Sequence, residues 1–372
     1  MQSAAQYQQQ LQRLRMIEAQ QRALQAMAAR QRANGDPTEP SGDNNNIRDM
    51  QLQQDIRTPV NHQGNHTANP APSISDQKHR IITFQSACQI GTAAAVESIL
   101  SSTSHSPKAL NFGLETALSA SNIEVAQYLL SLGAPITRST AEKILAAPAH
   151  HQIDLFKLLS SYGWNPHHPG TNGAPLLPKV VTNTALVRWF LGKGANPNFG
   201  MERHGSAAND KLGYDSCAAL ESACAKGDLE TVCMLFDAGA HIRFGYPLHY
   251  AAGALPIDPR GPPRAEAYTD RIPIMEILLA QGADVNQKGE TELVAHHPIM
   301  YAVMAGAVER VQWLLERGAD PEARGSWGSA AEHAFLMGSE EMKAVMEAGI
   351  RARRSGGSVG EALAIRLKPS AG

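Results

Sequence analysis

Four stretches of the chain repeat one spacing of apolar positions. They are Ile123, Ala126, Leu129, Leu130; Leu229, Val232, Leu235, Phe236; Ile272, Met275, Leu278, Leu279; and Val308, Val311, Leu314, Leu315. Offsets of 0, 3, 6 and 7 fall on one stripe of a 3.6-residue helix, so each stretch predicts an amphipathic helix. A shorter helical pattern rich in small residues precedes each one: "GLETALSASN" at 113–122, "AALESACAKGD" at 218–228, "YPLHYAAGA" at 246–254 and "HPIMYAVMAGA" at 297–307, with a fifth, "SAAEHAFLMGS", at 329–339. A proline in a first helical turn is well placed, because its missing N–H would be unpaired there anyway. Gly227, Gly306 and Gly338 are expected to stop these first helices.

A glycine also follows each leucine-rich helix. Gly133, Gly163, Gly194, Gly239, Gly282 and Gly318 close "LLSLGAP", "LLSSYGWNP", "FLGKGANP", "MLFDAGAH", "LLAQGADV" and "LLERGADP", and "VMEAGI" around Gly349 reads as a worn seventh copy. Their spacings of 30, 31, 45, 43, 36 and 31 residues set a period of roughly 30–33 with insertions. Glycine carries no Cβ penalty at the positive φ that ends many helices. Asp284, Asn196 and Pro321 then favour a turn over continued helix. Each unit is thus a short helix, a tight turn, a leucine helix and a glycine-led loop. One unit cannot bury its own stripe, but stacked neighbours can.

At "YPLHYAAGA", "GDLETVCMLFDAGAH" and "GAVERVQWLLERGADPEARG" the chain resembles the ankyrin repeat family, whose pattern runs T-P-L-H-x-A-A, a glycine, then a leucine helix ending L-L-x-x-G-A-D/N. The resemblance covers about 82–352, near eight degenerate repeats. It implies an all-α fold, an ankyrin-repeat solenoid of stacked helix-turn-helix units. Tyr246 and His297 stand where the family has Thr, and only His249 keeps the histidine. Glu115, Glu221, Met300 and Glu332 replace it elsewhere. The first helices of the units near 137–166 and 167–197, at "APAHHQ" and "PLLPKV", are poor.

The flanks differ in composition. Residues 1–80 form a low-complexity segment rich in Gln, Asn, Pro, Ser and His, read as a disordered tail because so little apolar surface cannot offset the entropy of ordering. Within it, a helix near 8–31 would align Leu11, Leu14, Ile17, Leu24 and Met27, without a sustained heptad. Residues 353–372 read as a flexible, Gly- and Ser-rich tail. No run reaches the roughly 18 apolar residues a bilayer requires. Four cysteines in 372 residues, with a net charge of −2, suggest neither a disulfide framework nor a strong pull toward nucleic acid. An intracellular protein, cytoplasmic or nuclear, is expected, with no membrane association and as a monomeric array.

No catalytic, cofactor or metal-ligating constellation is visible. P-loop, GxGxxG, GxSxG and HExxH patterns are missing. Cys217, Cys224 and Cys233 lack the spacing of a zinc pair. The function expected is a non-enzymatic protein–protein interaction module, an adaptor or scaffold holding protein partners on its concave and finger surfaces. The alternative is an ankyrin-type transcriptional coregulator acting through a DNA-binding partner. Direct nucleic-acid contact is not expected, because Arg13, Arg15, Arg22, Arg30 and Arg32 are sparse and follow no basic-zipper pattern. Insertions at 199–216 and 255–270 leave opposite ends of their units. The partner-binding candidates are exposed loop residues of the aromatic, basic and His types that dominate interfaces: Trp164, His167, His168, Met201, Arg203, His204, Tyr214, Arg243, Phe244, Arg324 and Trp327.

Overall fold

The computed structural model describes residues 74–101, 105–201, 212–213, 216–253, 270–289, 297–325 and 328–367. The helix expected near 8–31, its arginines and nearly all of the 255–270 insertion lie outside them. The described residues are mostly helical. In order they form α1 (Ile74–Ile90), α2 (Ala93–Ser101), α3 (Pro107–Ser119), α4 (Ile123–Ser131), α5 (Thr140–Lys143), α6 (Ala149–Ser161), α7 (Leu177–Val180), α8 (Thr184–Gly192), α9 (Ala218–Lys226), α10 (Leu229–Asp237), α11 (Pro247–Ala252), α12 (Ile272–Ala280), α13 (Pro298–Met304), α14 (Val308–Glu316), α15 (Ala330–Met337), α16 (Glu340–Ser355) and α17 (Val359–Leu367). Two antiparallel pairs of two-residue strands interrupt them: β1 (Gly200–Met201) with β2 (Leu212–Gly213), and β3 (Arg324–Gly325) with β4 (Gly328–Ser329).

The chain divides into two compact units. One holds 1–82 and 100–109; there the Ser106 hydroxyl accepts the Ala109 amide at 3.2 Å, early in α3. The other holds 83–99 and 110–372 and contains everything that follows. Within it, the first helices of successive pairs, α7, α9, α11, α13 and α15, pack each on the next. Among the second helices, α6 packs on α8, α8 on α10, α10 on α12, and α14 on α16.

The glycine turns form as their spacing predicts. Gly133, Gly163, Gly194, Gly239, Gly282 and Gly318 have φ between +82° and +93°. In each case the next residue donates its N–H to the carbonyl five residues back, as Trp164 does to Leu159 at 3.1 Å and Ala319 to Leu314 at 2.9 Å. This is the glycine-closed helix end that satisfies otherwise orphaned carbonyls. Gly349 is different. It lies inside α16, which runs on to a left-handed cap at Gly356. A Cβ on Gly349 would sit 2.7 Å from Leu315 Cδ1, so this glycine lets α16 approach α14 rather than ending a helix. The boundary expected at 352 therefore falls inside a helix. The expected flexible tail contains α17, whose Val359 and Ala362 are buried and which packs on α16 and α14. Gly338 ends α15 in extended backbone, not at positive φ.

The leucine stripe is buried at offsets 3 and 6 in all four helices, but offset 0 is not core: Ile123 and Leu229 are exposed, and Ile272 and Val308 half-buried. Offset 2 fills the core instead, with Val125, Thr231, Ile274 and Arg310. Arg310 is the one charged side chain at this buried position, a guanidinium where the other three helices carry Val, Thr and Ile. Its Nη1 donates to the Ala252 carbonyl at 2.8 Å and the Ala251 carbonyl at 3.4 Å. Arg271, also fully buried, donates to the Tyr250 carbonyl at 3.1 Å. Both arginines thus serve the end of α11, which stops after six residues at Gly253. A Cβ on Gly253 would overlap the Tyr301 carbonyl of α13.

Side-chain caps start the second helices. Asn122, Asn183 and Asp228 accept amides of α4, α8 and α10. Asn122 also donates back to the Gly91 carbonyl at 2.8 Å, and Thr184 donates forward to Asp228 at 3.0 Å, so the caps tie neighbouring pairs together. At Asp228, burial works to raise the pKa. Hydrogen bonds from the Thr231 and Thr184 hydroxyls and from the Thr231 and Glu230 amides outweigh it, and the carboxyl titrates below its ordinary value.

Candidate functional site

The glycine turns line up through bonds that skip most of a repeat. Asn198 donates to the Gly239 carbonyl at 2.8 Å and accepts the His241 amide at 3.0 Å. Asn286 does the same two turns further on, donating to Gly318 at 3.0 Å and accepting the Asp320 amide at 2.8 Å. Between them Gln287 donates to the Gly245 carbonyl at 3.1 Å. The Gly194, Gly239, Gly282 and Gly318 turns are thereby linked in series by side-chain bonds to backbone groups of a neighbouring turn.

Two His–Phe pairs occupy this row. The His167 ring lies 5.6 Å from Phe199, and His241 lies 5.4 Å from Phe244. Asn198, one residue before Phe199 and bonded to His241, joins the pairs. His167, His168, Arg243 and Phe244 are exposed. His168 is partly committed, its Nδ1 accepting the Asn165 amide at 3.1 Å. Arg243 has no ion-pair partner among the described residues. Arg324, at the far end of the row, is exposed but paired with Glu332 at 2.6 Å.

Trp164 does not belong to this surface. It is 5% exposed, with its ring 5.1 Å from Phe156 and 5.9 Å from Phe190. It fills the position after the turn glycine, where Ala134, Ala195 and Ala319 are likewise buried, so it is core. Met201 lies on β1, paired with Leu212. Arg203, His204, Tyr214 and Trp327 fall outside the described residues. Phe199 and His241 were not singled out in the sequence; their signal was position, since each sits within five residues of a turn glycine.

Residues 296–326, which include α13, α14 and the Gly318 turn, match the family model for the ankyrin repeat. The chain carries an ankyrin repeat. No curated protein matches it. The ankyrin repeat is in general a protein–protein interaction module.

In the register of this ankyrin repeat, three of the missing histidines are replaced by carboxylates that accept from the next unit. Glu221, in the place of His249, accepts the Tyr246 amide at 2.6 Å. Glu142 holds the same place in α5 and accepts the Thr171 amide at 2.7 Å. Glu115 accepts the Ser139 hydroxyl. In each case the carboxylate reaches the loop or turn that precedes the following first helix, a charge-assisted bond stronger than a neutral one. A Cβ on Gly245 would overlap Glu221, which explains a glycine there without appeal to its φ.

Among the described residues no group of three or more His, Cys, Asp or Glu could hold a metal, and no helix is long and apolar enough to cross a membrane. Cys88, Cys217 and Cys224 are buried, and Cys217 Sγ donates to the His241 carbonyl at 2.7 Å. Burial pushes Cys88 up to about 12; Cys224 is raised further, by burial first and then by Glu221. Thiol reactivity follows the thiolate. Timed alkylation of the folded chain at about pH 8 should therefore modify half-exposed Cys233 well before Cys88, Cys217 or Cys224. Labelling of Cys88 as fast as Cys233 would contradict its burial.

Proposed function

We propose that the chain is a non-enzymatic adaptor or scaffold. In this reading its helix pairs stack as a solenoid and hold a protein partner along the row of glycine turns. The observation that carries this is the run His167–Phe199–His241–Phe244 with Arg243 beside it. The bonds that hold these turns come from Asn198 and backbone groups. Phe244 and Arg243 are exposed in this row, and aromatic and guanidinium groups dominate interface energetics.

The test is affinity capture with the full chain, compared with an Arg243→Ala/Phe244→Ala variant. A partner retained by the wild type should bind the variant about tenfold more weakly, as loss of a hot-spot contact implies. The thermal transition should stay in place, because both side chains are exposed. Equal retention of every captured protein would refute this surface. A shifted transition would show that the two residues hold the fold instead.

A further inference from the structure

One register position is buried in four of the first helices. In the register of the matched repeat it is Leu118 in α3, Cys224 in α9, Ala252 in α11 and Val303 in α13. The first three are fully buried and Val303 is 9% exposed. In α15 the same position is Phe335, and it is 41% exposed. Leu336 and Met337 beside it are 41% and 46% exposed. Three consecutive residues span about 200° of a helix surface, so they wrap the free flank of α15 rather than dot it.

The chain does not cover this flank among the described residues. α15 packs on α13 and leads into α16. α17, the last helix, lies on α16 and α14. The row α9–α11–α13–α15 thus continues into an apolar face on which no further helix stacks among the described residues. We infer that this face is a docking site for a helix of a partner protein, one with an apolar stripe that includes small residues. Continuity with the row identifies the occupant. Along α9, α11, α13 and α15 the cover is a helix, and at Gly253 it comes so close that a Cβ would overlap the Tyr301 carbonyl and lie 2.9 Å from the Ala305 Cβ, so a small residue is needed there. A single helix face is well short of the roughly 800 Å² per partner of a stable dimer interface. That favours helix-on-helix recognition over a second copy of the chain.

The inference rests on the stacked-pair reading above and adds a surface distinct from the turn row. The probe is a fluorescein-labelled Ala/Leu/Lys peptide of about 18 residues, long enough to be helical, with leucines on one stripe. Its control has the same composition with the stripe scrambled. Fluorescence anisotropy should show saturable binding of the striped peptide to the full chain. Phe335→Glu and Leu336→Glu should each weaken it at least about tenfold, while Arg243→Ala leaves it unchanged. Equal binding of the scrambled peptide or equal binding to Phe335→Glu would overturn the proposal. So would no binding at all, or a sedimenting dimer that Phe335→Glu dissolves. Ala252→Glu, at the closed equivalent position, separates the two readings. It should unfold its neighbourhood, and if it does not, the stacked-pair reading fails rather than the docking face alone.

Discussion

Replacing Arg310 by Met is expected to destabilise the α11–α14 region by roughly 2–6 kcal/mol. The figure comes from the two carbonyls, Ala251 and Ala252, that lose their donor inside the protein, at about 1–3 kcal/mol for each orphaned group. Met keeps the volume, so the lost donors and not a cavity carry the effect. Stacked units open locally, so amide hydrogen exchange is the fitting measurement. Protection should fall first in α11 and in α13, which packs against it. Arg310→Lys should recover part of the loss, because an ammonium reaches one carbonyl but lacks the planar fork. Unchanged protection in Arg310→Met would mean that α11 ends without help from the guanidinium.

Phe156→Ala should cost about 3–5 kcal/mol, the range for deleting a buried aromatic ring. Phe156 is fully buried, with Trp164, Trp189 and Phe190 around it at centroid distances of 5.1, 6.1 and 5.0 Å. It therefore holds a four-ring cluster at a place where the first helices are short: α5 and α7 have four residues each. The readout is direct. Trp164 is shielded in the native chain, and the cavity should shift its emission to the red and lower the urea midpoint. A variant with native emission and midpoint would show that the neighbouring rings close the gap.

The turns and the second helices were legible because their cause is local: a stripe that must be buried and a glycine that alone tolerates positive φ. Gly349 was misread for a related reason. A glycine late in a helical pattern fits a stop or a close helix approach equally well, and no Asn, Asp or Pro follows Gly349 to decide between them. Trp164 was read as a loop aromatic on residue type. Its register, one past the turn glycine where alanines are buried, pointed to the core. Arg310 was hidden by the same habit, since its register mates are Val125, Thr231 and Ile274. The turn-to-turn bonds were not legible. Asn198 and Gly239 are 41 residues apart, and nothing in either local pattern announces the pairing. The open flank of α15 could have been seen only by noticing that Phe335 stands where the preceding first helices carry Leu118, Cys224, Ala252 and Val303.

The double anchoring at Asn198 has a mechanical consequence. The β1–β2 ladder closes the neck of the 202–211 segment, and the Asn198 clamp fastens that neck to the neighbouring turn. Lengthening a closed loop costs only about 0.6 kcal/mol per doubling. An insertion placed between β1 and β2 should therefore leave the ladder and the Asn198 clamp in place, much as interchangeable tools share one handle.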